Sequence, residues 1–317
     1  MKKVLALRLV RLVATLFAVS LITFLMVSLL PGDPINTLLP PDAPRTPEVV
    51  DQIRADLGLD DPLWLQYVNW ATSALQGDLG TSYITGQPVS TTIQERLPIT
   101  IQLALMATLI ALVIALPIGV YGAYREGRAV DKLSSAGVQV ALSIPNFIVG
   151  IFLIWLLSVQ FNVFPSTGWN RITDKGIVEN LRTAFLPSLA LSLAPLAIYS
   201  RLLRSDMIGV LKENYVLSAK AKGLRVGYIL RRHALRPSSL SLMTVVGIQF
   251  GVLLGGTVVI EQLFALPGLG GRLINAINQR DVIVIQGITI FIATMYVVIN
   301  TVVDLLYMVI DPRIRKG

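Results

Sequence analysis

Six long stretches of this 317-residue chain carry no charged side chain, and this feature constrains the fold more than any other. A helix needs about 20 apolar residues to cross the hydrocarbon core of a bilayer, where a charge costs several kcal/mol. Only 15% of the residues are charged, against about a quarter in ordinary soluble chains. The stretches predict an all-α membrane protein with six transmembrane helices, at Leu12–Leu30, Leu97–Tyr124, Leu133–Gln160, between Arg182 and Arg201, Pro237–Ile260 and Val282–Val303.

The basic residues predict the topology. Lys2, Lys3, Arg8 and Arg11 precede the first stretch, as in a signal peptide, but no small-x-small cleavage site follows, so we expect a retained helix. With six spans, 19 of the 27 Lys and Arg fall on the side of the termini and 8 on the other. The richer side is cytoplasmic, so both termini are predicted inside. Segment 31–97 is then an acidic, Pro-rich extracytoplasmic helical module.

The composition excludes several classes of site. The chain has no Cys and one His, His233, which excludes disulfides, thiolate nucleophiles and His-cluster metal sites. No phosphate-binding G-x-x-x-x-G-K-[ST] pattern occurs, so any ATP must be hydrolysed on another chain. The net charge of +8 comes from basic residues between apolar stretches, which indicates membrane topology and not nucleic-acid binding. Asp304, near the inner end of the last stretch, is expected to pair with nearby arginines and not to relay protons.

Segment 201–236 is too long and too patterned for a simple turn between two spans. Good helix formers run from Glu213 to Lys222, and Ala219 and Gly223, four residues apart, share a helix face. A face without side-chain bulk would let another protein approach closely. The alternative is a solvated basic loop that only enforces topology.

This segment resembles the EAA loop of bacterial ABC importer permeases, and in detail that of the dipeptide/oligopeptide/nickel family. Two positions depart from the general pattern: Leu217 stands where the Glu would be, and Arg236 where the Pro would be. The resemblance implies a short coupling helix that docks into an ATPase subunit. The residues that carry it are Tyr215, Ser218, Ala219, Lys220, Ala221, Lys222, Gly223, Leu224, His233 and Leu235.

Other stretches resemble the same family along most of the chain. A first span at the N-terminus followed by a large outer segment is similar to the B-type permease, which implies an N-terminal helix (1–30), the outer module (31–97) and a permease core (98–317) with a coupling loop at 205–236. The stretches are LLPGDP at 29–34, LGLDDP at 57–62, GDLGTS at 77–82, ERLPITIQLAL at 95–105, SIPNF at 143–147, LPSLAL at 186–191, LLGGTVVIEQLFALPGLGG at 253–271 and DPRIR at 311–315.

The resemblance also implies the function and the partners. The chain would form the pathway for di- or oligopeptides across the bacterial cytoplasmic membrane, in a heterodimer with a C-type permease. Two ATPase subunits carrying ATP and Mg, and an extracytoplasmic substrate-binding protein, would complete the importer. Nickel chelates, haem, glutathione and oligosaccharides stay open as substrates. A membrane enzyme would need a catalytic set that this composition lacks. An ATP-independent channel or secondary transporter would not need the EAA-like loop.

Small and polar residues inside the spans give weaker hypotheses. Gly247, Gly251 and Gly255 lie on one helix face and predict close helix packing, either within the bundle or between two permease subunits. Gln102, Asn146 and Gln249 are candidates for the translocation path, although such residues also serve as helix–helix hydrogen bonds. Kinks or breaks are expected where proline occurs within a span, at Pro117, Pro145, Pro187 and Pro195.

Overall fold

The computed structural model describes residues 2–28, 46, 51 and 60–310, and this part of the chain is helical without β-strands, as expected. Three sequence motifs lie wholly or partly outside it, namely those at 29–34, 57–62 and 311–315, and so does the side chain of Asp304. The helices are α1 Lys2–Ser28, α2 Leu63–Leu75, α3 Val89–Tyr124, α4 Ala129–Ser143, α5 Asn146–Leu153, α6 Ile172–Leu211, α7 Asn214–Ala221, α8 Val226–Tyr228, α9 Arg236–Gly256, α10 Val258–Leu263, α11 Leu269–Gln279 and α12 Val282–Ile310. Two π-helical segments, Ile154–Gln160 and Ile229–Leu235, continue α5 and α8.

The described part of each of the six predicted spans is mostly helical, but length and composition do not identify each of them as a membrane crossing. Four helices are long and apolar enough to cross a membrane, at Val89–Tyr124, Ile172–Leu211, Val226–Gly256 and Val282–Val303. The second of them is kinked near its start at Gly176, where φ is 81° and ψ is 173°. The predicted third span is a pair of helices, Ala129–Ser143 and Asn146–Gln160, that meet at a bend of 98°. In α1 the apolar part, Leu12–Met26, is shorter than a full crossing. Among the described residues there are thus four or five spans by these criteria, and six stays a prediction.

The prolines behave differently from one another. Pro145 stands at the 98° bend, and the residue before it, Ile144, is extended at ψ 121°. This follows from the clash between a proline ring and the helical conformation of its predecessor. Pro187 and Pro195 instead lie inside the 40-residue helix α6, and Pro117 lies inside α3. A break therefore occurs at one of the four positions, and kinks at the other three stay a prediction.

The chain divides into two compact units, of which the first comprises residues 1–100 and 267–298. Its core contains Val89 and Ile93 of α3 with Leu269 of α11 and Ile288 of α12. Helix α2, the described helix of the predicted extracytoplasmic module, packs against α1 through Tyr67, whose ring lies edge-on to Phe17 and Phe24. In the same contact, the hydroxyls of Tyr67 and Ser20 are 2.8 Å apart.

The second unit comprises residues 101–266 and 299–317. One of its core clusters combines small residues of α3, Ala111 and Ala115, with large residues of α6, Tyr199, Leu203 and Met207. A Cβ added at Gly119 of α3 would lie 3.0 Å from the carbonyl oxygen of Ser200. Small residues at this crossing let two long helices approach closely, which is how helices associate where burial from water contributes little.

Candidate functional site

The predicted coupling loop contains a separate short helix, α7, between the end of α6 and the π-helical segment 229–235. Val216 and Ala219 on one face of α7 are buried and form a small cluster with Ile229. Val210 and Leu211, in the last turn of α6, pack against the same cluster. Helix α7 is therefore held by its apolar face to the two long helices that it connects.

The small-residue face predicted for a partner protein divides between the inside and the outside of the chain, and its role in docking stays a prediction. Ala219 is only 6% exposed, so its small side chain serves packing within the chain. Gly223 is exposed at φ +75° with no atom within 4 Å of the place that a Cβ would occupy, and its N–H donates to the carbonyl of Lys220 over 3.0 Å. This left-handed conformation, which glycine adopts without strain, ends α7 and turns the chain toward α8.

The outer side of this loop carries large apolar side chains in water-accessible positions. Between 41% and 49% of the surface is exposed in each of Tyr215, Leu217, Leu224, Val226 and Tyr228. Ser218, Lys220, Ala221 and Lys222 lie among them in the sequence, and all four are exposed as well. An exposed group of apolar residues rimmed by polar ones is typical of a protein interaction site. We call these five apolar residues the exposed apolar group.

His233 belongs to the scaffold of this loop. Its half-buried ring lies between the rings of Tyr228, with centroids 5.5 Å apart, and Tyr215, at 6.4 Å. The hydroxyl of Tyr215 donates to the carbonyl of His233 over 3.1 Å, and burial together with nearby Glu213 raises the pKa of Tyr215. Leu235 packs against the core of the second unit. Among the described residues, His, Cys, Asp and Glu form no group able to hold a metal ion.

The three candidates for the translocation path lie on three different helices. The side-chain amide of Gln102 donates to Oδ1 of Asn180 over 2.5 Å, and Asn180 in turn donates to the carbonyl of Asn170 over 2.7 Å. Gln102 is therefore engaged in a contact between α3 and α6. Asn146 is the half-buried first residue of α5, and Gln249 is half-buried in the middle of α9. Their role in the path stays a prediction.

The glycine face of α9 divides between the inside and the outside of the chain. A Cβ at Gly247 would lie 2.9 Å from Cγ1 of Val303, so this glycine permits the contact between α9 and α12. Gly251 is buried, whereas Gly255 is exposed. At Gly247 the face therefore serves packing within the subunit, and the predicted crossing between two subunits stays a prediction.

Sequence reasoning missed a buried ion pair in the first unit. Nη2 of Arg272, in α11, lies 3.2 Å from Oδ2 of Asp281, and the side chains are 8% and 0% exposed. The hydroxyl of Ser82 donates to the same carboxylate oxygen over 2.5 Å. Next to Ser82, Gly80 packs against Ile283 at φ +86°. The GDLGTS motif thus binds the turn between α11 and α12, a contact across 199 residues that no local pattern signals.

A second missed ion pair joins α4 to α6 in the second unit. The carboxylate of Asp131, at the start of α4, receives two hydrogen bonds from the guanidinium of Arg204, the one from Nη2 over 2.7 Å. The backbone N–H of Gly127 donates to the same carboxylate over 2.9 Å. Nearby, Nζ of Lys212 lies 3.1 Å from Oε1 of Glu126. Both pairs fasten the loop between α3 and α4 to the last part of α6.

Comparisons with known proteins cover nearly the whole chain. It is 39% identical over 308 residues to a putative peptide transport system permease protein of Brucella abortus, covering 97% of both chains. It is 36% identical to the oligopeptide transport system permease protein AppB of Bacillus subtilis, covering 95% of both. The glutathione transport system permease protein GsiC of Escherichia coli is also 36% identical, over 97% of both.

The fold agrees with that of a solved transporter. The chain of the MetNI methionine ABC transporter in an inward-facing conformation superposes with a TM-score of 0.56 at 17% identity, covering 69% of this chain and 96% of that one. Residues 115–316 match the family described as binding-protein-dependent transport system inner membrane component, and residues 1–104 match the N-terminal family of the same membrane components. The chain therefore belongs to the family of binding-protein-dependent transport system inner membrane components.

Proposed function

We propose that the chain is the permease subunit of an ATP-binding-cassette importer that carries di- or oligopeptides across the bacterial cytoplasmic membrane. The observation that carries the proposal is the exposed apolar group on a loop that is itself anchored to the bundle. A C-type permease, two ATPase chains that bind ATP and Mg²⁺, and an extracytoplasmic binding protein complete the assembly. The names of relatives with peptide, oligopeptide and glutathione substrates support a peptide-like cargo.

The anchoring of α7 supports a mechanical role for the loop. Val216 and Ala219 of α7 contact Ile229 on one side and Leu211 on the other. A force applied to the outer side of α7 would be transmitted through these contacts. Ile229 belongs to the continuous helix 226–256 and Leu211 to α6, so both long helices move with the loop. Closure of an ATPase pair on ATP would tilt them together and open the pathway to the other side.

Substitution of Leu217 tests this role. Leu217 is 49% exposed, so Leu217→Asp leaves the core of the permease intact but places a charge that an apolar cleft on the ATPase cannot pair. The matched control is Ile177→Asp, in another exposed apolar residue near the other end of α6. We expect Leu217→Asp to abolish co-purification of the ATPase chains and ATP-dependent uptake of a labelled dipeptide into proteoliposomes. Wild-type assembly and uptake in this variant would exclude the loop as the coupling element.

The substrate class is tested with the same proteoliposomes. Labelled dipeptide, labelled tripeptide and labelled glutathione are offered in turn together with the binding protein. ATP-dependent accumulation of a peptide supports the proposal, whereas accumulation of glutathione alone assigns the same machinery to that solute. No accumulation of any of them, with assembly intact, rules out a peptide-like cargo.

The proposed orientation places both termini and the coupling loop in the cytoplasm. The chain has no native Cys, so single cysteines report position directly. Ser73 of α2 and Ser218 of α7 are both exposed. In intact spheroplasts, a membrane-impermeant thiol reagent should label Ser73→Cys and not Ser218→Cys. The opposite pattern would reverse the topology.

A further inference from the structure

Helix α2, Leu63–Leu75, carries no charged side chain, although it belongs to the segment that is predicted to be extracytoplasmic. Charges stand just beyond both of its ends, at Asp60 and Asp61 before it and at Asp78 after it. Its 13 residues make a helix about 20 Å long, too short to cross a hydrocarbon core of about 30 Å. Both ends of α2 are therefore expected on the same side of the membrane.

The packed face of α2 contacts α1 within the charge-free stretch of the predicted first span. The ring of Tyr67 lies edge-on to Phe17 and Phe24, and its hydroxyl is 2.8 Å from that of Ser20. On the opposite face of α1, Ile22 is 56% exposed at the same depth. Because a transmembrane helix exposes such residues to lipid, the contact places α2 beside the hydrocarbon and not in open solvent.

One flank of α2 is apolar and exposed. In a helix with 3.6 residues per turn, positions 64, 68 and 75 project in one direction, about 110° away from the face that Tyr67 and Trp70 turn toward α1. Trp64, Val68 and Leu75 occupy this flank and are 67%, 45% and 88% exposed. Soluble surfaces rarely carry such a row of large apolar side chains, and tryptophan is enriched where a membrane meets water.

The other flank of α2 is polar. Asn69 and Ser73 are exposed there, about 110° from the packed face in the opposite direction. Thr72, between the two flanks, is also exposed, and its hydroxyl donates to the carbonyl of Val68 over 2.9 Å, so it is satisfied within its own helix. The three sides of α2 thus suit a transmembrane helix, acyl chains and water.

We propose that α2 lies in the boundary layer of the extracytoplasmic leaflet and binds lipid through its apolar flank. Trp64, Val68 and Leu75 contact the acyl chains, while Asn69 and Ser73 face the water. Helices with an apolar side and a polar side bind membranes in this orientation, with the apolar side below the headgroups. A protein partner could also cover an apolar flank, but the contact of Tyr67 with the predicted first span already places this one next to acyl chains.

Site-directed spin labelling tests the proposal, because the chain has no native Cys. Single cysteines at the exposed positions of α2 are labelled with a nitroxide in the full-length permease. The labelled permease is assembled with cysteine-free partner chains in nanodiscs of phosphatidylcholine and phosphatidylglycerol. Collisions of each label with oxygen, which concentrates in hydrocarbon, and with a water-soluble nickel chelate are then measured. Trp64→Cys, Val68→Cys and Leu75→Cys should show frequent collisions with oxygen and few with nickel.

The matched controls are Asn69→Cys and Ser73→Cys, on the polar flank of the same helix, which should show the reverse. Across positions 63–75 the two accessibilities should then vary in opposite phase with a period of about 3.6 residues. Nickel collisions at Val68→Cys and Leu75→Cys equal to those at Ser73→Cys would overturn the proposal, because α2 would stand in water. Few collisions with either reagent at these two positions would also overturn it, since protein and not lipid would cover the flank.

Discussion

The buried ion pair between Arg272 and Asp281 makes a sharp stability prediction. Asp281 is fully buried, and its Oδ2 receives hydrogen bonds from Arg272 and from Ser82. The substitution Asp281→Asn keeps the shape and one acceptor for Ser82 but removes the charge that balances Arg272, which is itself buried. The variant therefore isolates the charge of the carboxylate from its packing.

The expected cost follows from this burial. Leaving one member of a buried ion pair without its partner costs about 3–5 kcal/mol, because the remaining charge keeps its desolvation penalty. A domain of ordinary size loses about 2–4 °C of melting temperature per kcal/mol, so we expect the midpoint to fall by about 6–20 °C. Arg272→Met alone should cost a similar amount, since it leaves the carboxylate unbalanced. The double variant Arg272→Met/Asp281→Asn should recover much of the loss, because no buried charge remains.

The assay is thermal unfolding of the purified permease followed by fluorescence-detected gel filtration, arranged as a double-mutant cycle. Glu179→Gln is the control, because Glu179 pairs with Arg182 at 3.6 Å while both side chains are more than 40% exposed. Exposed pairs contribute about 0–1 kcal/mol, so its midpoint should barely move. Two results would contradict the prediction: a melting temperature of Asp281→Asn equal to that of the wild type, or a melting temperature of the double variant no higher than those of the single variants. Either would show that the charges of Arg272 and Asp281 do not stabilise the protein through each other.

Three further predictions concern small residues. Gly247→Leu should abolish accumulation of folded permease because its Cβ would clash with the facing valine of α12, whereas Gly256→Leu, with open space around it, should accumulate normally in gel-filtration assays. Ala219→Leu should lower the free energy of unfolding by about 1–3 kcal/mol, because the larger side chain overpacks a buried site. Ala221 is exposed, so Ala221→Leu should melt at the same temperature as the wild type. Gly223→Val should lower the free energy of unfolding by about 1–2 kcal/mol in melting experiments, because a β-branched side chain is strained at φ +75°. Gly223→Asn should lower it less, because asparagine tolerates this conformation.

The sequence by itself determined the class of the protein. Charge-free stretches dictate helices, because backbone groups in lipid must be satisfied within the segment, so the all-α membrane fold followed from composition and spacing alone. The EAA-like loop and the motifs around it led to the correct family. Helix formers from Glu213 to Lys222 predicted the short helix, which the structure has at Asn214–Ala221, but Gly223 lies beyond its end at φ +75° and not on its face.

Only the tertiary structure decided which face of each helix packs against another helix. Ala219 is small because it packs against Ile229, and Gly247 because it meets Val303, and neither partner can be found from helix periodicity. Proline spacing likewise did not reveal that α6 runs unbroken through Pro187 and Pro195 while the chain bends at Pro145. The pairing of Ser82 with Asp281, and of Asp131 with Arg204, joins residues far apart in the chain. Such contacts depend on how whole helices pack. The local sequence determines on which face of its helix a side chain lies, but not which side chain of another helix it contacts.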